Sequence, residues 1–294
     1  MNRLFNLFFQ GVFFCFLAGP FGVNGQTGRL QDDLAMVGTV TDQDGYPLPY
    51  VNIGIVGTTI GTVSGTDGSF ILYLSENTTD KDVLRFSMVG HESRSFTLEE
   101  YVESMTDEVK FILPLVTMDL QEVVVRPRFD RKKRIGVERT NAARVTNFAI
   151  SKRPNQNLGA EIGRKFNLPK GNVQLDSFQF YIANNNFDTV RLRINVYEIE
   201  KGKPGRNLAP ENMIVELTNG QTGWAKIDLS PYHFLVSENV AVTVEWVFAS
   251  AKGRSLAIPI TMPSPANHFY KYGSQGRWKQ FPGMSAAMSL DVSY

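Results

Sequence analysis

Three histidines, one cysteine and a scatter of carboxylates are the side chains of this sequence best suited to catalysis, and their spacing decides what they can do. Catalytic zinc needs about three protein ligands, usually histidines and carboxylates at set intervals. His91, His233 and His268 lie far apart along the chain, and none belongs to a His-x-x-Glu or His-Glu-x-x-His motif. His91 and Glu92 are adjacent, so on a strand their side chains point to opposite faces. No metal site is expected, and no cofactor motif is present. The serines lack a Gly-x-Ser-x-Gly elbow. Asp42, Asp44 and Gly45 begin the pattern of a calcium loop, but no carboxylate closes its far end, and a hairpin turn accounts for them. Carboxylate pairs for glycoside hydrolysis converge through the fold rather than the sequence. A hydrolase with such a site in the C-terminal half therefore remains a reading, though no residue points to one.

Binding without catalysis has a better candidate. His268-Phe269-Tyr270-Lys271-Tyr272 is followed by Arg277-Trp278-Lys279-Gln280-Phe281. Exposed rings beside polar groups stack on sugar faces, which makes Tyr270, Tyr272 and Trp278 candidate ligand-binding residues of a lectin-like module. The competing account is that Gly273-Ser274-Gln275-Gly276 turns between two aromatic strands whose rings line a core.

The elements that would position these residues are β-strands. Residues 36–116 carry short alternating apolar runs broken by Gly, Asp, Asn and Pro. Val51, Ile53 and Ile55 share one face, as do Phe70, Leu72 and Leu74, and Leu84, Phe86 and Met88. Asp44-Gly45 and Asp67-Gly68 supply the turns. Asn77-Thr78-Thr79 fits a glycosylation sequon and is read as a loop tip.

Three stretches carry a resemblance: Gly38-Thr39-Val40-Thr41-Asp42 through Pro47-Leu48-Pro49-Tyr50-Val51-Asn52-Ile53, then Gly61 through Phe70, then Leu84 through Glu92. In that order they resemble the carboxypeptidase regulatory-like domain family. The resemblance implies a small seven-stranded, transthyretin-like (prealbumin-like) sandwich over residues 36–125 and implies no peptidase activity. The same module extends envelope proteins at their N-termini, including TonB-dependent transporters. Leu120-Gln121-Glu122-Val123-Val124-Val125 resembles the sequence that follows the module in transporters of the starch-utilisation type. The residues after 125 are too few for a plug and a barrel, so the run of valines is read as a last edge strand.

Residues 126–136 hold Arg126, Arg128, Arg131, Lys132, Lys133 and Arg134 and read as a solvated basic linker that is free to face anionic lipid headgroups. From 137 to 294 a second pattern begins. Val190, Leu192, Ile194 and Val196 alternate with Arg191, Arg193 and Asn195, marking a strand with one wet face. Val240, Val242, Val244, Trp246 and Phe248 alternate too, and Trp224 to Leu229 reads as another strand. Turns fall at Gly202 to Gly205 and at Asn219-Gly220. With no long helical periodicity, an all-β second sandwich, jelly-roll-like in strand count, is expected. It looks like the C-terminal sandwiches of uncharacterised envelope proteins that begin with the same module.

The N-terminus places the protein. Arg3, the phenylalanine-rich run from Leu4 to Ala18, and the small residues up to Val23 and Gly25 form a secretory signal over 1–25, with a mature chain beginning at Gln26 and a polar lead over 26–35. The run is shorter than the roughly 20 residues that span a bilayer. Cys15 follows Phe13 and Phe14, where a lipoprotein signal needs small residues. Its removal leaves no cysteine for a disulfide partner or a thiolate nucleophile. Hydrophobic residues at 43% suffice for large cores, and a net charge of +1 argues against nucleic acid. The expectation is a non-catalytic binding or structural protein of the periplasm or outer membrane in a Gram-negative-type envelope, its partner an envelope protein or a glycan.

Overall fold

The computed structural model describes residues 35–103, 110–116, 129–140, 144–149 and 157–294. The expected signal segment, nearly all of the polar lead, and Leu120 to Val125 lie outside the described residues. Among the described residues, no helix is long and apolar enough to cross a membrane.

The N-terminal sandwich contains β1 (Ala35–Thr41), β2 (Asn52–Ile55), β3 (Gly61–Val63), β4 (Ser69–Tyr73), β5 (Val83–Ser87), β6 (Arg94–Thr97) and β7 (Lys110–Ile112). One sheet runs β4-β1-β7 and the other β3-β2-β5-β6. The alternation read from the sequence sends Val51, Ile53, Ile55, Phe70, Leu72, Leu84 and Phe86 into a shared core. There Phe86 stacks on Phe111 with ring centroids 4.0 Å apart. A short helix, α1 (Leu98–Glu103), starts in a capping box: Glu100 N donates to Thr97 Oγ1 (3.1 Å) and Thr97 N to Glu100 Oε2 (2.7 Å). At the first hairpin, Asp42 Oδ1 accepts from Asp44 N (2.9 Å) and Tyr46 N (2.8 Å), so this carboxylate is spent on the turn.

The second sandwich is larger. In chain order its first strands are β8 (Lys132–Gly136), β9 (Val145–Asn147), β10 (Glu161–Phe166), β11 (Val173–Ile182), β12 (Asn184–Asn185), β13 (Thr189–Glu200), β14 (Lys203–Asn207) and β15 (Met213–Thr218). Then come β16 (Gly223–Asp228), β17 (Leu235–Val236), β18 (Val240–Ala249), β19 (Leu256–Thr261), β20 (His268–Lys271), β21 (Lys279–Phe281), β22 (Ser285–Ala286) and β23 (Met288–Ser293). A seven-stranded sheet, β14-β13-β18-β10-β20-β21 with β15 also on β13, shares its core with β16-β11-β23-β8. Val190, Leu192, Ile194, Val196, Val242, Val244 and Trp246 fill that core from the first sheet, and Phe178, Phe180, Leu290 and Val292 from the second.

Part of the expected basic linker needs correction. Lys132–Gly136 is not a free connector but an edge strand, antiparallel to β23 with Ile135 opposite Leu290. Only Ile135 reaches the core, which is why the stretch reads as solvated. Its exposed cations suit an edge that must not pair with another chain.

The two sandwiches touch through the Gly273–Gly276 turn. Ser274 Oγ donates to Ile53 O (2.5 Å), Gly57 N to Gln275 O (2.9 Å), and Gln275 Nε2 to Asn52 O (3.2 Å) and Ser87 Oγ (2.8 Å). Ser274 fits because its neighbours are glycines. A Cβ on Gly61 would lie 2.9 Å from Ser274 N, and one on Gly159 would lie 2.5 Å from Ser274 Cβ. Gly61→Ala is therefore expected to push the turn away and lower stability by about 1–3 kcal/mol, measured by urea unfolding of the full chain. An unchanged midpoint would show that this contact does not hold the sandwiches together.

Candidate functional site: a covered charge ladder and its cleft

β13, β18, β10 and β20 are neighbours, and their register sets four charged residues in one row across the sheet. Arg193 pairs with Glu245, Glu245 with Glu161, and Glu161 with Lys271. All four side chains point away from the sandwich core, opposite in parity to Ile194, Val244, Ile162 and Tyr270. The face expected to be wet is dry here: Arg193 and Asn195 are each 2% exposed, Glu245 1% and Glu161 0%. The N-terminal sandwich closes over it.

The two glutamates stand side by side, a like-charge pair that costs stability unless compensated. Arg193 Nε lies 2.9 Å from Glu245 Oε2, and Lys271 Nζ lies 2.5 Å from Glu161 Oε2. Asn195 Nδ2 donates to both carboxylates, at 3.0 Å to Glu161 Oε1 and 2.8 Å to Glu245 Oε2. Tyr197 and Thr243 donate their hydroxyls to Glu161. Burial by itself would raise the pKa of Glu245, but Arg193 and Lys271 outweigh it and hold the carboxyl below its ordinary value. Burial would likewise lower Arg193, and Glu245 more than reverses this. The Tyr197 phenol is pushed well above its usual value, by burial first and by the two glutamates next.

Tyr50 links the row to the covering sandwich. It adopts a left-handed backbone, φ 62°, uncommon for a residue with a side chain. Arg193 Nη1 donates to its carbonyl (2.8 Å) and Arg191 Nη1 to its hydroxyl (3.1 Å).

Beside the ladder, the junction leaves a cleft of about 500 Å³ lined by Asn52, Arg85, Ser87, Asn207, Gln275 and Trp278, with Arg193, Glu245 and Lys271 at its base. A wider depression of about 800 Å³ sits by β8 and β16, but Arg134, Lys226 and Asp291 there pair with one another at an open surface. The cleft is the better site, because it is polar, set between domains, and floored by desolvated charges.

The candidate aromatic residues divide between two faces. Tyr270 is 5% exposed, lies in the sandwich core, and donates its hydroxyl to Asn147 O (2.9 Å). Tyr272 packs against the same core, 4.2 Å from Tyr270 between ring centroids, with Lys279 over its ring. The single platform of Tyr270, Tyr272 and Trp278 is thus corrected, since strand parity turns the tyrosines inward. Trp278 alone faces the cleft, held edge-on by Phe269 and Tyr197 with Lys271 Nζ 4.9 Å from its centroid. Sequence reasoning missed Glu161, Glu245 and Lys271. The available signal was a charged residue inside a valine-rich strand, as in Val244-Glu245-Trp246.

Among the described residues, no three His, Cys, Asp or Glu side chains are grouped to hold a metal. The seven strands in a three-plus-four sandwich, with aspartate-glycine turns at Asp44 and Asp67, match what the sequence resemblance implied. Residues 36–125 match the model of the CarboxypepD_reg-like domain. The regulatory-like family is a non-catalytic module, and the match ends before the second sandwich. No curated protein matches the chain in sequence. Among solved structures, a clostridial cysteine protease, Cwp84, after propeptide cleavage is 9% identical with TM-score 0.39, over 87% of this chain and 70% of that one. The cysteine protease and lectin-like domains of Cwp84, a surface layer associated protein of Clostridium difficile, are 10% identical with TM-score 0.39, over 86% and 61%. The infectious bursal disease virus Gx strain is 11% identical with TM-score 0.28, over 88% and 55%. Likenesses this low carry no argument about activity.

Two outcomes follow from the buried charges. Glu245→Gln keeps the shape but leaves Arg193 without its counter-ion, and should cost about 3–5 kcal/mol in urea unfolding. A loss below about 1 kcal/mol would mean that the pair behaves as an exposed one. His268, 2% exposed with Nδ1 lacking a partner, is held neutral by burial, its pKa lowered from 6.5 to about 4. Between those values the unfolded chain takes up a proton that the folded chain refuses, so stability falls as pH drops from 6.5 towards 4. The loss should approach about 3 kcal/mol and be absent from His268→Gln. Parallel pH profiles for the two proteins would refute it.

Proposed function

We propose that this chain is an exported, non-catalytic binding protein of a bacterial cell envelope that takes its ligand in the cleft between the regulatory-like domain and the second sandwich. The observation that carries this reading is the cleft itself, walled by both domains and floored by charges that the fold keeps dry. Export rests on the sequence of residues 1–25, and periplasm or outer membrane is the location that follows.

A hydrolase with a carboxylate site in the second domain has one observation in its favour, the neighbouring Glu161 and Glu245. Acid–base hydrolysis needs one carboxyl kept protonated near neutral pH. Glu245 is shifted the other way, and Glu161 is bound by Lys271, Asn195, Tyr197 and Thr243. Glu161 uses both oxygens and Glu245 its Oε2 to hold the sheet together, which favours recognition over turnover.

The test is expression of the whole chain in a Gram-negative host. Mass spectrometry should find a mature N-terminus at Gln26 in periplasmic or outer-membrane fractions. The purified protein should be thermally stabilised by envelope extracts, and that stabilisation should be lost in Trp278→Ala. Retention of residues 1–25 in the cytoplasm would refute export, and an unmoved melting temperature would refute binding. Turnover of glycoside or ester substrates that Glu161→Gln abolishes would establish the hydrolase instead.

A further inference from the structure

We propose that the interdomain cleft takes an acidic saccharide, with the sugar ring against Trp278 and its carboxylate or phosphate at Arg85. This deepens the reading of the cleft as the binding site and rests on it.

The chemistry of the walls narrows the ligand. At the base, the charges of Arg193 and Lys271 are matched by Glu245 and Glu161. Arg85, on β5 of the regulatory-like domain, is exposed on the cleft wall, and among the described residues its guanidinium has a hydrogen bond to Ser93 Oγ alone, at 3.4 Å. The unmatched charge of the cleft is therefore positive. The charge left to face a ligand is that of Arg85, so the ligand's charge is negative.

The rest of the wall asks for hydroxyls. Gln275 Nε2 and Asn207 Nδ2 are spent within the protein, on Asn52 O, Ser87 Oγ and Asn195 Oδ1, which leaves the Ser87 hydroxyl proton and the Gln275 side-chain oxygen for a ligand, and an apolar one would strand them without water. At the base, Glu245 Oε1 and Asn52 Oδ1 are buried acceptors with no hydrogen-bond partner. Arg193 Nη2 lies 2.9 Å from Glu245 Oε2, yet is not aligned to donate to it. Two acceptors and one donor in the lining of one cleft suit hydroxyls, each able to give and to accept. A simple anion offers only acceptors and would leave Glu245 Oε1 and Asn52 Oδ1 unmatched. These three atoms are closed to solvent as the domains stand, so a ligand reaches them only where it parts the cleft walls. Trp278 supplies a ring that Tyr197, Phe269 and Lys271 fix in place, and with Lys271 over one face the other is a low-entropy platform for a sugar.

Calorimetric titration of the full chain with D-glucuronate, D-glucose 6-phosphate and D-glucose tests this. The two acids should bind about tenfold or more tightly than glucose, an advantage that shrinks as salt rises. Arg85→Gln should erase the preference, and Trp278→Ala should abolish binding. Trp278→Phe, which keeps a ring and the fold, should retain part of it, and Trp224→Ala on the opposite sheet should bind as the native chain does. Equal binding of acid and neutral sugar, or binding indifferent to Arg85 and Trp278, overturns the proposal. If no sugar binds while envelope extracts still stabilise the chain through Trp278, the saccharide assignment falls and the cleft reading stands. If neither stabilises it, both fall.

Discussion

The juxtaposition of Glu161 and Glu245 on neighbouring strands, away from water, is the constraint around which the second sandwich and its docking are arranged. Two carboxylates in register on a central sheet repel each other, and burial removes the solvent that would screen them. The sheet answers on both sides, with Arg193 beyond Glu245 and Lys271 beyond Glu161, while Asn195 bridges the two. Each cation is placed by strand order, because β13 and β20 flank the pair β18 and β10. Replacing any member leaves a buried charge without its partner, so the four residues act as one unit.

The ladder and the covering domain depend on one another. Without the regulatory-like domain the Arg193 end of the row would lose the cover of Tyr50, and pairs open to water contribute little. Without the row, the backbone carbonyl of Tyr50 would lose Arg193, and its left-handed conformation would lose one of the two arginines that hold it. Docking is otherwise built from small residues and backbone groups, Ser274 against Ile53 and Gly57 against Gln275. A contact made this way has directional hydrogen bonds and little apolar area. It is the kind of junction that can part slightly without exposing a hydrophobic surface.

The sequence carried the strands better than it carried the site. Alternation at Val51 to Ile55, Phe70 to Leu74 and Val190 to Val196 marks inward faces because a sandwich core needs them, and that pattern is local. The outward faces are governed by what lies across the molecule, which a single run of residues does not record. Arg193 and Asn195 read as wet because polar residues opposite a core usually are. Here another domain covers them. Glu161 and Glu245 are 84 positions apart and Lys271 is farther still, so their convergence follows only from strand order. Lys132–Gly136 misled in the opposite sense, since an edge strand protected by lysines has the composition of a linker. The aromatic segment divided by parity: Tyr270 turns in with His268, and Phe269 turns out with Lys271, which is how Trp278 comes to lie over the charged face.

That parity also bears on chemistry. A catalytic carboxylate needs an environment that sets its proton affinity apart from its neighbour's and leaves an oxygen facing the substrate. In the ladder the environment is spent on neutralising charge, with cation, amide and hydroxyl donors converging on both carboxylates. The groups left uncommitted are Arg85 and the indole of Trp278, together with the unpartnered oxygens of Asn52 and Glu245, one from each domain. Glu245, its pKa held below the ordinary value by Arg193 and Lys271, is not poised to donate a proton near neutral pH. These groups come from both domains, so the cleft proposed as the binding site exists only while the regulatory-like domain is docked. The module's contribution is then half of the cleft wall, held there by the same charges that fix its position.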